Sequence, residues 1–159
     1  MVDQKESIPP ILRPDNVVAV SLRAIAERFD LEWASDESDT ELTGISMNTA
    51  DLRRGDLFVA MPGLKTHGAN FIQKAKAAGA VAVVTDSEGA KLAQGMGLPT
   101  LLLEHPRAHL GELAAFVYGN LPGTMPKLFA TTGTNGKTTT AHLLAEILRT
   151  HGWKTEVIG

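Results

Sequence analysis

Along the chain, apolar residues recur first at a helical period and then in short unbroken runs separated by helical stretches. Leu22, Ile25, Ala26 and Phe29 stand at i, i+3, i+4 and i+7. They follow Ser21, a residue type whose hydroxyl caps helix starts, so a short helix is predicted there. Ahead of it, residues 1–15 are polar and carry Pro9, Pro10 and Pro14, which predicts an extended lead-in. Behind it, Ser35-Asp36-Glu37-Ser38-Asp39 reads as a solvated loop.

From Leu42 the pattern alternates between strand and helix. Strands are predicted over 42–47 and over 56–61, the latter ending at Pro62-Gly63. Residues 70–78 read as a helix with Phe71, Ile72, Ala75 and Ala78 on one face, stopped by Gly79. The run 80–85 is apolar on both faces, as in a parallel strand covered by helices on each side. A weaker helix over 88–94, a strand over 99–103 and an amphipathic helix over 106–118 follow, the last with Pro106 at a favourable early position. After the joint Gly119-Asn120-Leu121-Pro122-Gly123, a strand is predicted over 127–132, a helix over 137–151 and a further strand from 154. Such alternation predicts an α/β fold with a mainly parallel sheet. The expected division is a lead-in over 1–15, one domain over 16–124 and the start of a second over 125–159. A single strand and helix cannot cover their own apolar faces, so that second domain is expected to be truncated.

One segment carries chemistry. Between the strand at 127–132 and the following helix lies Gly133-Thr134-Asn135-Gly136-Lys137-Thr138-Thr139. Strand, glycine-rich turn, Lys-Thr and amphipathic helix are the parts of a phosphate-binding loop. The glycines let the backbone aim its N–H groups at one point, and the helix start adds unpaired donors and positive dipole. Lys137 can reach the β- and γ-phosphates of a nucleoside triphosphate, and the Thr138 hydroxyl can ligate Mg²⁺ beside them. The general pattern G-x-x-x-x-G-K-[ST] would put its first glycine at Thr131, so the match to it is incomplete.

Composition narrows the remaining classes. A formal charge of −3 leaves no basic surplus for nucleic acid or an anionic membrane. The absence of cysteine removes disulfides, thiolate zinc sites and thiol nucleophiles. No signal-peptide pattern and no apolar run of spanning length is visible, so a soluble, cytoplasmic protein is expected. His105 and His109 stand at i, i+4 without an obvious third ligand, His142 is expected on a solvated face, and no serine sits in a nucleophile elbow.

Thr132-Gly133-Thr134-Asn135-Gly136-Lys137-Thr138-Thr139 resembles the phosphate loop of the Mur ligase family, which also commonly lacks the first glycine of the general pattern. A second segment, Arg54-Gly55-Asp56-Leu57-Phe58-Val59-Ala60-Met61-Pro62-Gly63 with Thr66-His67-Gly68-Ala69-Asn70-Phe71-Ile72 and Gly79-Ala80-Val81-Ala82, is similar to the first domain of MurE- and MurF-type members. Together they cover about residues 42–159 and favour the MurE type. The family usually carries Asp-Ser-Arg where this chain has Asn48-Thr49-Ala50, so the arginine is missing.

The resemblance implies an ATP- and Mg²⁺-dependent ligase that adds diaminopimelate or lysine to UDP-MurNAc-L-Ala-D-Glu through an acyl phosphate. It implies Lys137 and Thr138 as catalytic groups, and Gly133, Thr134, Asn135, Gly136, Lys137, Thr138 and Thr139 as ATP contacts, with Thr138 on the metal. It also implies Met47, Thr49, Leu64, Lys65, Thr66 and His67 as contacts for the uridine nucleotide. Thr49 could equally cap a turn, Lys65 could be solvated, and His67 could serve the helix start. The piece alone is expected to be inactive, since the remaining magnesium ligands and the amino-acid pocket would lie beyond Gly159. A MurF-type ligase adding D-Ala-D-Ala and a non-catalytic nucleotide-binding module are the alternatives.

Overall fold

The structure, a computed structural model, describes residues 13–14, 17–35, 38–120, 123 and 126–158. Most of the lead-in, together with Asp36, Glu37, Leu121 and Pro122, lies outside the described residues. The chain divides into two compact units, Met1–Gly123 and Thr124–Gly159.

In the first unit, β1 (Val20–Ser21), α1 (Leu22–Phe29), β2 (Glu32–Trp33), β3 (Glu41–Leu42), β4 (Gly44–Ser46) and β5 (Asp56–Ala60) come in order. A 3₁₀ turn (Gly68–Phe71), α2 (Ile72–Ala78), β6 (Ala80–Thr85), α3 (Ser87–Ala93), β7 (Thr100–Leu102) and α4 (Pro106–Val117) follow. The main sheet has five strands in the order β2-β7-β6-β5-β4. β4, β5, β6 and β7 run parallel and β2 closes the edge antiparallel to β7. β1 and β3 form a separate antiparallel pair.

Alternation along the strands builds the two faces. Leu57, Val59, Ala82, Val84 and Leu101 pack with Leu22 and Ile25 of α1 and Leu113 and Val117 of α4. Phe58, Ala60 and Val83 point the other way, onto Ile72 and Ala75 of α2 and Ala93 of α3. The register between β5 and β6 shifts after Asp56, opposite Ala80 and Ala82, so Val81 is an extra residue there. The predicted strand at 42–47 is in fact two strands in two sheets, β3 and β4, because Thr43 N–H turns aside to Gly55 O at 2.9 Å. β1 and β2, too short to show a period, were not predicted.

Local signals act where the chemistry requires. Ser21 Oγ accepts the Ala24 N–H at 3.1 Å and caps α1. Gly79 ends α2 at φ +112°, and a Cβ there would press on the Arg53–Arg54 backbone. Asp56, at the start of β5, is buried and pairs with Arg13, whose Nη1 donates to both carboxylate oxygens at 2.7 and 2.8 Å. Arg53 N–H donates to the same carboxylate at 2.7 Å, so both halves of its charge are met inside the protein.

The second unit holds α5 (Lys137–Thr150) and no strand among its described residues. The segments 127–132 and 154–158, predicted as strands, run without a ladder. Strand backbone satisfies its N–H and C=O groups on a neighbour, and no described strand is present here to supply one. The apolar face expected on α5 is correspondingly open, with Leu143 61% and Ile147 56% exposed and only Ala145 buried.

Candidate functional sites

In the second unit, Gly133 has φ +141° and Gly136 has φ +78° immediately before α5. Both values lie where side chains other than glycine are strained. The Lys137 ammonium folds back over the turn and donates to Gly133 O at 2.6 Å and Thr134 O at 3.4 Å. The N–H groups of Lys137, Thr138 and Thr139 open the helix and have no intrahelical partner, whereas Thr140 N–H already reaches Gly136 O at 2.9 Å. A cation, open amides and the exposed hydroxyls of Thr134, Thr138 and Thr139 therefore surround one turn. The Asn135 side chain shares that turn and is exposed. This donor set fits a polyphosphate, with the Thr138 hydroxyl free to ligate a cation held beside it.

In the first unit, a cavity of about 440 Å³ opens at the carboxyl ends of β4 and β5, where ligands of parallel α/β sheets collect. Met47, Asn48 and Thr49 line it from the turn after β4, and Met61 to Gly63, Thr66 and Gly68 from the loop after β5. Phe71, Lys74 and Arg107 complete the wall. The loop after β5 folds on itself as a small hairpin. Pro62 bridges His67, and Gly63 N–H donates to Thr66 O at 3.1 Å. Gly68 lies so close to β5 that a Cβ would meet Met61 N at 2.8 Å and Met61 O at 3.0 Å.

His67 holds this hairpin from beneath. Its Nδ1 accepts the Ala69 N–H at 3.0 Å, which places the ring proton on Nε2. Nε2–H then donates to Asp86 Oδ1 at 3.0 Å, and the same oxygen accepts the Gly89 N–H at 2.8 Å to cap α3. Thr85 adds a tie from its hydroxyl to Ala60 O at 2.8 Å. Gly89 must be glycine for this to close, since a Cβ would collide with Thr85 Oγ1 and the His67 ring.

The profile of the Mur ligase family, catalytic domain, matches residues 41–118. The chain is 46% identical over 142 residues to the UDP-N-acetylmuramoyl-L-alanyl-D-glutamate–2,6-diaminopimelate ligase of Streptomyces avermitilis, covering 89% of this chain and 27% of that protein. It is 41% identical over 140 residues to the UDP-N-acetylmuramyl-tripeptide synthetase of Leifsonia xyli, again over 27% of the relative. The chain belongs to the Mur ligase family. It spans about a quarter of the length of these relatives. A solved UDP-N-acetylmuramoyl-L-alanyl-D-glutamate–2,6-diaminopimelate ligase superposes with a TM-score of 0.58 at 26% identity, over 89% of this chain and 28% of that one. MurF from Acinetobacter baumannii superposes with a TM-score of 0.60 over 84% of this chain and 28% of that one, and at 24% identity it shares the fold. The α/β architecture with a mainly parallel sheet is thus that of a Mur ligase.

Within this Mur ligase chain, the residues expected at a uridine nucleotide fall in different places. Met47, Thr49 and Thr66 line the cavity together. Leu64 and Lys65 form the exposed tip of the hairpin and are not part of the lining. His67 is 8% exposed, with both ring nitrogens already bonded, so its side chain shapes the loop from behind the cavity wall. Asn48 lines the cavity and is exposed, but its side chain is engaged within its own turn, its Oδ1 accepting Ala50 N–H at 3.1 Å and its Nδ2 donating to Asp51 at 2.7 Å. Lys74 and Arg107 line the cavity although no motif pointed to them. Lys74 occupies the polar face of α2, and the one local cue for Arg107 is Pro106 just before it at the helix start. His142 is exposed, His109 has Glu112 at 3.8 Å, and no group of three metal-ligating side chains exists among the described residues. Nor, among those residues, is any helix long and apolar enough to cross a membrane.

Proposed function

We propose that the protein containing this chain is an ATP-dependent amide ligase that joins a diamino acid, diaminopimelate or lysine, to UDP-MurNAc-L-Ala-D-Glu in the cytoplasm. The reading rests on one observation. The 46% identity to a ligase named for that reaction runs over 142 residues, long enough to take in both the cavity loops and the phosphate loop. The first unit would hold the uridine nucleotide and the second would hold ATP.

In this reaction the γ-phosphoryl group of ATP passes to the D-glutamate carboxylate, giving an acyl phosphate and ADP. The amine then attacks the acyl carbon and expels phosphate, leaving the new amide. The catalytic task is to position the polyphosphate and neutralise its charge. Lys137 is suited to it because its ammonium already sits over the loop, on carbonyl oxygens from which it can turn to phosphate oxygens. Gly133, Thr134, Asn135, Gly136, Thr138 and Thr139 would supply amides and hydroxyls around it. A Mg²⁺ ion, when bound, would neutralise the β- and γ-phosphates, and Thr138 is the ligand this chain offers it. Met47, Thr49 and Thr66 would contact the uridine nucleotide directly, Leu64 and Lys65 would close over it from the hairpin tip, and His67 would act by holding that hairpin.

The test is phosphate release by the intact protein with ATP, Mg²⁺ and UDP-MurNAc-L-Ala-D-Glu, adding diaminopimelate or lysine in turn. Release that depends on one amine supports the reading and names the third residue. Release only with the UDP-tripeptide and D-Ala-D-Ala would transfer the protein to the MurF type. Nucleotide exchange without amine-dependent turnover would leave a non-catalytic nucleotide-binding module.

A further inference from the structure

The cavity of the first unit is walled by side chains of one charge sign. Lys74 and Arg107 are its two ionised lining residues, and no carboxylate lines it. Neither cation has an acidic partner among the described residues, although other bases in the chain do, Arg13 with Asp56 and Arg149 with Glu146. Unpaired cations converging on a concave surface supply the charge complement of an anionic ligand.

The residues that the turn after β4 gives to the cavity, Met47, Asn48 and Thr49, carry no charge. Asn48 spends its side chain on Ala50 N–H and Asp51, and Ala50 ends in a methyl group. The positive charge therefore comes from α2 and α4. Arg107 is well placed for this role. Pro106 ahead of it is buried, and His105 takes the left-handed conformation at φ +55°, so the helix start is fixed against the sheet. Its Nη2 reaches Pro62 O at 3.4 Å, which leans the guanidinium against the hairpin and leaves its other donors free. Met47, Met61 and Phe71 give the same cavity apolar surface for a base or sugar.

We propose that Arg107 and Lys74 bind the diphosphate of the uridine nucleotide in this cavity, replacing charge that the Asn48-Thr49-Ala50 turn does not provide. The inference rests on reading the cavity as the nucleotide site. It names the chain's own anion contacts there.

The test uses the full-length protein with saturating ADP on the phosphate loop, so that uridine nucleotides compete only for the cavity. Calorimetric titrations with uridine, UMP and UDP are compared for the parent, Arg107→Gln, Lys74→Gln and Arg107→Lys. Two charge-assisted contacts predict that Arg107→Gln weakens UDP by about tenfold or more and leaves uridine within about twofold. Lys74→Gln should act in the same direction, the loss should grow from UMP to UDP, and Arg107→Lys should recover part of it. Two outcomes would overturn the inference yet leave the cavity a nucleotide site: unchanged UDP affinity in both Gln variants, or equal losses for uridine and UDP. A parent protein that binds neither uridine nor UDP would remove the nucleotide reading itself, and the inference with it.

Discussion

Replacing His67 by alanine removes two hydrogen bonds that lie beneath the hairpin. Ala69 N–H, in a residue 1% exposed, loses its acceptor, and Asp86 Oδ1 keeps only the Gly89 N–H. A buried donor left unpaired costs about 1–3 kcal/mol, and a bond to a carboxylate contributes about 1.5–3 kcal/mol. Asp86 is 12% exposed on its side chain, so water recovers part of the second term. A local loss of about 3 kcal/mol is expected, which corresponds to about a hundredfold in the opening equilibrium. Amide hydrogen exchange read by mass spectrometry should show it as faster exchange over 66–72 and 86–90, with the β5–β6 core unchanged. His67→Asn should be intermediate, because asparagine keeps a capping acceptor for Ala69 but is too short to serve Asp86 as well. Exchange in the alanine variant within about threefold of the parent at Ala69 would refute the assignment of His67 as the hairpin's support.

Other substitutions probe separate links. Asp56→Ala leaves the Arg13 guanidinium buried without its carboxylate, and breaking such a pair costs about 3–5 kcal/mol, to be read as a fall in the denaturant midpoint. Gly68→Ala forces a Cβ onto the Met61 backbone, which cannot yield as a side chain does, for about 1–3 kcal/mol in the same measurement. If the proposed reaction holds, Lys137→Ala should lower amine-dependent phosphate release by the intact protein at least about a hundredfold while the thermal midpoint holds, since that side chain is exposed.

Hydrophobic period, caps and turn residues determined most elements by themselves. The runs that became β5, β6 and β7, the stops at Gly79 and Pro62, and the Ser21 cap act within a few residues of chain, so their physics is local. The turn at Gly133–Gly136 and the start of α5 at Lys137 were legible for the same reason, because their residues are contiguous. The 127–132 strand was not decided locally, because a strand exists only with a partner to take its backbone hydrogen bonds. The residues around the first cavity were only partly legible. Met47, Thr49 and Thr66 were reached through resemblance, while Lys74 and Arg107 come from separate helices 33 positions apart in the sequence and line one cavity only because the parallel sheet brings the starts of α2 and α4 to the same end. His67 shows the division most clearly. The sequence left it between ligand contact and turn support, and tertiary structure chose the second for its side chain by placing Asp86, from the end of β6, within 3.0 Å of its ring.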